Sequence, residues 1–175
     1  MAPMKRSVWI IAVVVLVALV AWLMLRRGSE DVAVNFIDDF AEAVEKRPTD
    51  APFTVVDATL AGQTKRAITV PSPSRIAWSV TIPDNAWLLV SAGLTEDAWT
   101  TAGDGVSFRI SLNDDEVLNM LLDPYGDAAV RRWNDFEVDL SEFAGETVNL
   151  YLKTFTGGTR EGDKPVWGEP RIITR

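Results

Sequence analysis

The chain has 175 residues with no cysteine and no histidine, and its 17 basic and 25 acidic side chains give a formal net charge of −8. Disulfides, thiolate metal sites and nucleophile chemistry built on His or Cys are therefore excluded, and most hydrolytic mechanisms go with them. The charge is uneven: residues 1–28 hold Lys5, Arg6, Arg26 and Arg27 and no acid, which leaves 13 basic against 25 acidic residues, a net of −12, for the remainder. So acidic a domain repels nucleic acid, and no basic run with interleaved aromatics offsets the charge.

Val8 to Leu25 form an unbroken apolar run, long enough as a helix to cover roughly 27 Å, close to the hydrocarbon thickness of a bilayer. Trp9 and Trp22 lie near its ends, where indole rings suit the membrane interface. A cleavable signal peptide is the rival reading. The run exceeds the ~7–15 residues of a usual signal core, and its exit through Trp22, Leu23, Met24, Leu25, Arg26 and Arg27 lacks a small-residue cleavage site. The sequence thus predicts an uncleaved transmembrane anchor over residues 1–28. The α-amino group tips the balance of flanking charge toward a cytoplasmic N-terminus, so the expected protein is single-pass in a bacterial inner membrane, with its C-terminal domain periplasmic or extracellular.

Residues 29–52 follow, in which Val32, Phe36, Ile37, Phe40, Ala41 and Val44 recur at helical spacing. Ser29 suits an N-cap, Glu30 and Asp31 suit the first turn, Lys46 and Arg47 the last, and Pro48 a stop, so a short amphipathic helix and linker are expected. Its stripe either packs on the following domain or, through Phe36, Ile37 and Phe40, docks on another subunit. Its acidic polar face disfavours anionic lipid.

From Phe53 the period becomes two. The alternations Ile76, Trp78, Val80, Ile82, then Val106, Phe108, Ile110, Leu112, then Leu118, Met120, Leu122, then Phe136, Val138, Leu140, then Val148, Leu150, Leu152 each predict one sheet face. Further strands are expected at about 53–60, 64–70, 86–93 and 167–174, in all about eight or nine, and residues 53–175 read as an all-β two-layer sandwich. Asn113-Asp114-Asp115 predicts a hairpin connection and Pro83-Asp84-Asn85 a turn.

The stretches GDGVSFRISLNDDEVLNMLLDP, RRWNDFEVDLSEFAGETVNLYLKTFTGG and VWGEPRI resemble the galactose-binding-like jelly rolls found as carbohydrate-binding modules and accessory domains. The resemblance implies a jelly-roll β-sandwich over residues 53–175, in which Ser141 to Gly145 form a short turn with Phe143 tucked under the barrel end. It rests on core and turn positions and transfers no binding residue.

Carboxylates are the acid–base groups left. Asp97, Asp104, Asp114, Asp115, Glu116, Asp123, Asp127 and Asp163 would be the candidates for a glycosidase pair, but all lie in or beside expected loops, where Asp favours turns, and the chain reads as a non-enzyme. No glycine-rich phosphate loop leads from a strand into a helix. A structural Ca²⁺ is the one metal with suitable ligands, at Asp104 or the Asp114–Glu116 cluster, although no fixed ligand spacing is present. Trp99, Tyr125, Trp133 and Trp167 lie near expected loops and are candidates either for stacking on sugar or anchoring a partner or, equally, for burial at the sandwich rim, whereas Trp78 and Trp87 fit the core. Two functions follow: a non-enzymatic accessory subunit of a larger membrane complex, photosynthetic or respiratory for example, bound to integral membrane subunits; or a membrane-tethered carbohydrate-binding module of the cell envelope.

Overall fold

In the computed structural model, which describes residues 30–175, eleven strands follow one another: β1 (Asp31–Asn35), β2 (Glu45–Arg47), β3 (Thr54–Leu60), β4 (Gln63–Thr69), β5 (Ser74–Thr81), β6 (Ala86–Leu94), β7 (Val106–Leu112), β8 (Asp115–Leu122), β9 (Asn134–Asp139), β10 (Thr147–Thr156) and β11 (Pro165–Thr174). They form two antiparallel sheets of a sandwich, one in the order β3-β4-β11-β6-β9 and the other in the order β2-β5-β10-β7-β8. β1 pairs with the Arg171–Thr174 half of β11, and β4 pairs with the Val166–Gly168 half, so the two share one edge of that strand. The apolar run of residues 8–25 lies outside the described residues, and among those described no helix is long and apolar enough to cross a membrane.

The inward phases expected from the sequence are the ones buried. Ile76, Trp78, Val80 and Ile82 from one sheet interleave with Leu88, Val90, Trp167 and Ile172 from the other in a continuous core. Phe108 meets Trp167 edge to face, with ring centroids 4.9 Å apart and planes at 83°. In β8 and β9, which edge their sheets, Leu118, Phe136 and Val138 on that phase are only half-buried and Met120 is 39 % exposed, although Leu122 is buried. Asn113 and Asn85 hold positive φ at the two expected turns, and Ser141–Phe143 form a 3-10 turn with Phe143 against the core.

Residues 31–47 correct the sequence reading. No amphipathic helix forms: β1 runs along β11, a short 3-10 turn spans Asp38–Glu42, and β2 joins the edge of the opposite sheet. Two competing features defeat the helical pattern. Val32, Val34 and Phe36 also alternate as a strand, and the open edge of β11 offers backbone partners that an isolated helix lacks. The segment crosses from one sheet to the other, sinking Phe36 to 0 % and Ile37 to 5 % exposure. Phe36 lies 4.8 Å from Trp78, whose Nε1 donates to the Asp39 carbonyl at 2.9 Å, and Phe40 packs partly buried against the same core. The three residues expected as a docking stripe thus close one side of the sandwich, and Phe36 and Ile37 present no face to a partner.

A second apolar cluster lies apart from this core, where Trp133 is packed with Ala58, Leu60, Ala67 and Val166. Beside it the Lys65 side chain, 10 % exposed, donates to Asp135 at 2.6 Å and to Ser91 at 2.7 Å. Burial pushes the Asp135 carboxyl up, but the Lys65 ammonium and the Ser91 hydroxyl together outweigh it and hold the carboxyl below its ordinary value. A depressed carboxylate contributes stability that is present above its unfolded pKa and lost as pH falls through the folded one. Asp135→Asn is therefore expected to be about 1 kcal/mol less stable than wild type at neutral pH, a figure discounted for the exposed carboxylate, with the gap closing below about pH 4. Urea unfolding midpoints of both proteins across that range measure it.

Candidate functional site

The outward phase of β10 is Asn149, Tyr151, Lys153 and Phe155, opposite the inward Val148, Leu150, Leu152 and Thr154. Register carries the pattern across the whole sheet. Arg47 stands opposite Arg75, Arg75 opposite Lys153, Lys153 opposite Arg109, and Arg109 opposite Asn119. Four cations on four neighbouring strands therefore form one transverse row on the outer face. Like charges directly opposite each other destabilise a sheet. The neighbouring rows offset part of this: Glu45 Oε1 accepts from Arg75 at 2.6 Å and from Arg47 at 3.4 Å, and Glu116 lies 3.5 Å from Arg109. Aromatic faces offset more, with Lys153 Nζ 4.9 Å and Arg75 5.6 Å from the Tyr151 centroid and Arg109 4.6 Å from that of Phe155. Lys153 also donates to Ser111 at 3.0 Å, and among the described residues it enters no ion pair.

At one end of this row the β2–β3 and β4–β5 loops enclose a pocket of about 740 Å³. Arg47, Arg75, Lys153 and Arg160 line it with Phe155, and Asp50 is the one acid among its lining residues. Pro48, Pro71 and Pro73 stiffen the rim. The floor is polar: the Ser74 and Thr154 hydroxyls bond each other at 2.7 Å and Thr154 Oγ1 donates to the Pro71 carbonyl at 2.9 Å. Arg160 is brought in by the 157–160 loop, which Asp104 holds by accepting the Gly158 and Thr159 backbone N–H groups. A Cβ on Gly157 would meet that carboxylate, which would have to move to admit a side chain there. The Gly158 N–H holds the Asp104 carboxyl below its ordinary value, whereas partial burial pushes that of Asp163 up, with the Asp104 charge adding to it.

The structure does not bring the sequence-predicted candidates together. Trp167 is fully buried on β11 and Trp133 is 4 % exposed with its Nε1 donating to the Gln63 carbonyl at 2.9 Å, so neither offers a ring face to a ligand. Gly168, on β11, leaves the room in which the Trp133 indole lies against the sheet. Trp99 is half-buried, its Nε1 bonded to the Leu94 carbonyl, and Tyr125 is exposed on a separate turn, where Asp123 accepts the Tyr125 and Gly126 N–H groups. Asp127 similarly accepts from Ala129 N–H and Asp97 pairs with Lys164. For the Ca²⁺ expectation, Asp104 is engaged with its loop and Glu116 with Arg109, and among the described residues no group of three or more His, Cys, Asp or Glu side chains could hold a metal ion. Sequence reasoning missed the cationic row because its members are scattered over four strands. The signal was present in β10, where Tyr151, Lys153 and Phe155 fall on the polar phase of a strand whose other phase is apolar.

No family model matches the chain. A curated protein of Archaeoglobus fulgidus, described only as uncharacterized, is 41 % identical over 98 residues; the match covers 52 % of this chain and 25 % of the archaeal one, so the chain spans about a quarter of that relative's length. Among solved structures, a family 51 carbohydrate-binding module from a Clostridium perfringens glycoside hydrolase, determined with methyl-galactose, aligns over 81 % of this chain and 99 % of its own at TM-score 0.59 and 16 % identity. The tandem family 51 modules of a Streptococcus pneumoniae glycoside hydrolase align over 81 % of this chain and 47 % of theirs at TM-score 0.58 and 11 % identity. At such identities the likeness is one of fold: residues 31–174 form an all-β sandwich similar to that of these carbohydrate-binding modules.

Proposed function

We propose that this protein is a non-catalytic, membrane-tethered glycan-binding module of the cell envelope, with the pocket between Arg47, Arg75, Lys153, Phe155 and Arg160 as its ligand seat. The pocket is the observation that carries the reading. It is concave, of a volume suited to a small ligand, and combines an aromatic ring, Phe155 at 39 % exposure, with guanidinium and ammonium donors. A sugar needs this combination: a flat apolar ring face stacks on the aromatic while hydroxyls accept from the cationic side chains. Hydrolysis of a glycosidic bond needs two carboxylates flanking it, and Asp50 alone lines this site. The Clostridium module of the same fold, determined with methyl-galactose, supports the reading by analogy. The apolar run of residues 8–25 supplies the tether in this proposal.

Screening the full-length protein in detergent against a glycan array tests the reading. Retention of at least one glycan class is expected, with Phe155→Ala weakening it about tenfold or more at an unchanged melting temperature. An array without signal, or wild-type binding by the variant, would overturn it.

A further inference from the structure

Resting on that reading, we infer that the ligand is an acidic glycan, whose carboxylate or sulfate group sits among Arg75, Lys153 and Arg160 while its ring lies on Phe155. The distribution of charge leads there. Beyond residue 28 the chain has 13 basic residues against 25 acidic ones, yet four of those 13 line one pocket and Arg109 extends the same row. A surface that merely needed solubility has no reason to gather scarce cations into adjacent register positions, where they repel one another.

The carboxylates nearby pair with the two ends of the row, a single Glu45 between two guanidiniums at one of them, and leave its middle without an ion pair. Glu45 serves both Arg47 and Arg75, and Glu116 serves Arg109. Lys153, between Arg75 and Arg109, has only the Ser111 hydroxyl and the Tyr151 ring face as described partners. An anion seated over Lys153 relieves the repulsion on both sides at once, and Arg75 adds a planar fork suited to a carboxylate or sulfate. A neutral sugar gains its stacking and hydroxyl contacts there but leaves the repulsion in place. Nucleic acid is disfavoured by the net charge of −12 carried beyond residue 28, which acts at longer range than a single pocket.

The test is isothermal titration of the full-length protein in detergent with three probes: trigalacturonate, its fully methyl-esterified neutral form, and a sulfated carrageenan tetrasaccharide. At least one acidic probe is expected to bind about tenfold or more tighter than the neutral ester, to weaken as salt is raised, and to lose that preference in Lys153→Met, which keeps the apolar stem and removes the charge. Carboxylate and sulfate are told apart by which acidic probe shows the effect. Equal binding of acidic and neutral probes, or an unchanged preference in Lys153→Met with the fold retained, overturns the acidic-ligand inference and leaves the glycan module standing. A protein that binds none of the three while retaining neutral glycans on the array likewise overturns the acidic ligand alone, whereas silence on the array as well removes the glycan module itself.

Discussion

Phe36→Ala is expected to destabilise the domain by about 3–5 kcal/mol, because it empties a fully buried site between the two sheets and strips Trp78 of its ring partner at 4.8 Å. Against the ~5–15 kcal/mol that holds an ordinary domain together, this is a large fraction, and a shift of the urea midpoint measures it directly. Val44→Ala, in the same segment but 63 % exposed, is expected to stay within about 0.5 kcal/mol of wild type. The contrast discriminates between the two roles the sequence allowed for this segment. Had Phe36 belonged to an exposed docking stripe, its removal would leave the isolated protein as stable as before; an unchanged midpoint would refute the buried placement.

Trp133→Ala is expected to have a comparable effect, about 3–5 kcal/mol, although Trp133 lies outside the main core. Its indole covers Leu60, Ala67 and Val166, and only a glycine at position 168 leaves space for it: a Cβ there would stand 2.8 Å from Trp133 Cζ3. Removal leaves a cavity, orphans the Gln63 carbonyl that accepts from Nε1, and exposes the flank of the nearly buried Lys65. Thermal denaturation followed by circular dichroism reads the loss. Tyr125→Ala, at 51 % exposure on its own turn, serves as the matched control with little expected change. A variant at Trp133 that lost glycan binding while melting like wild type would show instead that the ring contacts ligand.

The strands from β3 onward were legible because each carries its own signal: inward residues on one phase, polar residues on the other, and a turn residue at each end, as in Ile76 to Ile82 or Val148 to Leu152. β1 and β2 were not legible for a physical reason. Their apolar residues, Val32 to Val44, satisfy both periods, and the choice between them lies in the unpaired edges of β11 and β5, which no local window contains. The candidate site failed to show for a related reason. A strand face is written at every second residue, but a row across a sheet is written in the pairing register, and Arg47, Arg75, Lys153 and Arg109 are neighbours only once β2, β5, β10 and β7 are in order. Aromatic residues misled for the opposite reason: proximity to a loop in sequence says little about exposure when a glycine on a neighbouring strand lets an indole settle onto the sheet, as Gly168 does for Trp133.

The pairing of Asp31 with Thr174 sets how this domain can be carried. The two ends of the fold are cross-strand neighbours, so a polypeptide enters and leaves at one point, the arrangement that lets a module be inserted into a longer chain or hung from a stalk without rearranging its interior. That point lies at the Ala86 and Asp139 end of the sandwich, whereas Arg75, Phe155 and the loops that enclose the pocket lie at the other. The chain ends of the fold and the pocket are thereby separated by the length of β11, ten residues or roughly 33 Å of extended chain. A fusion made at Asp31 or Thr174 is therefore expected to leave the mouth of the pocket unobstructed, and under the proposed function a polymer reaches the pocket from the side opposite the attachment.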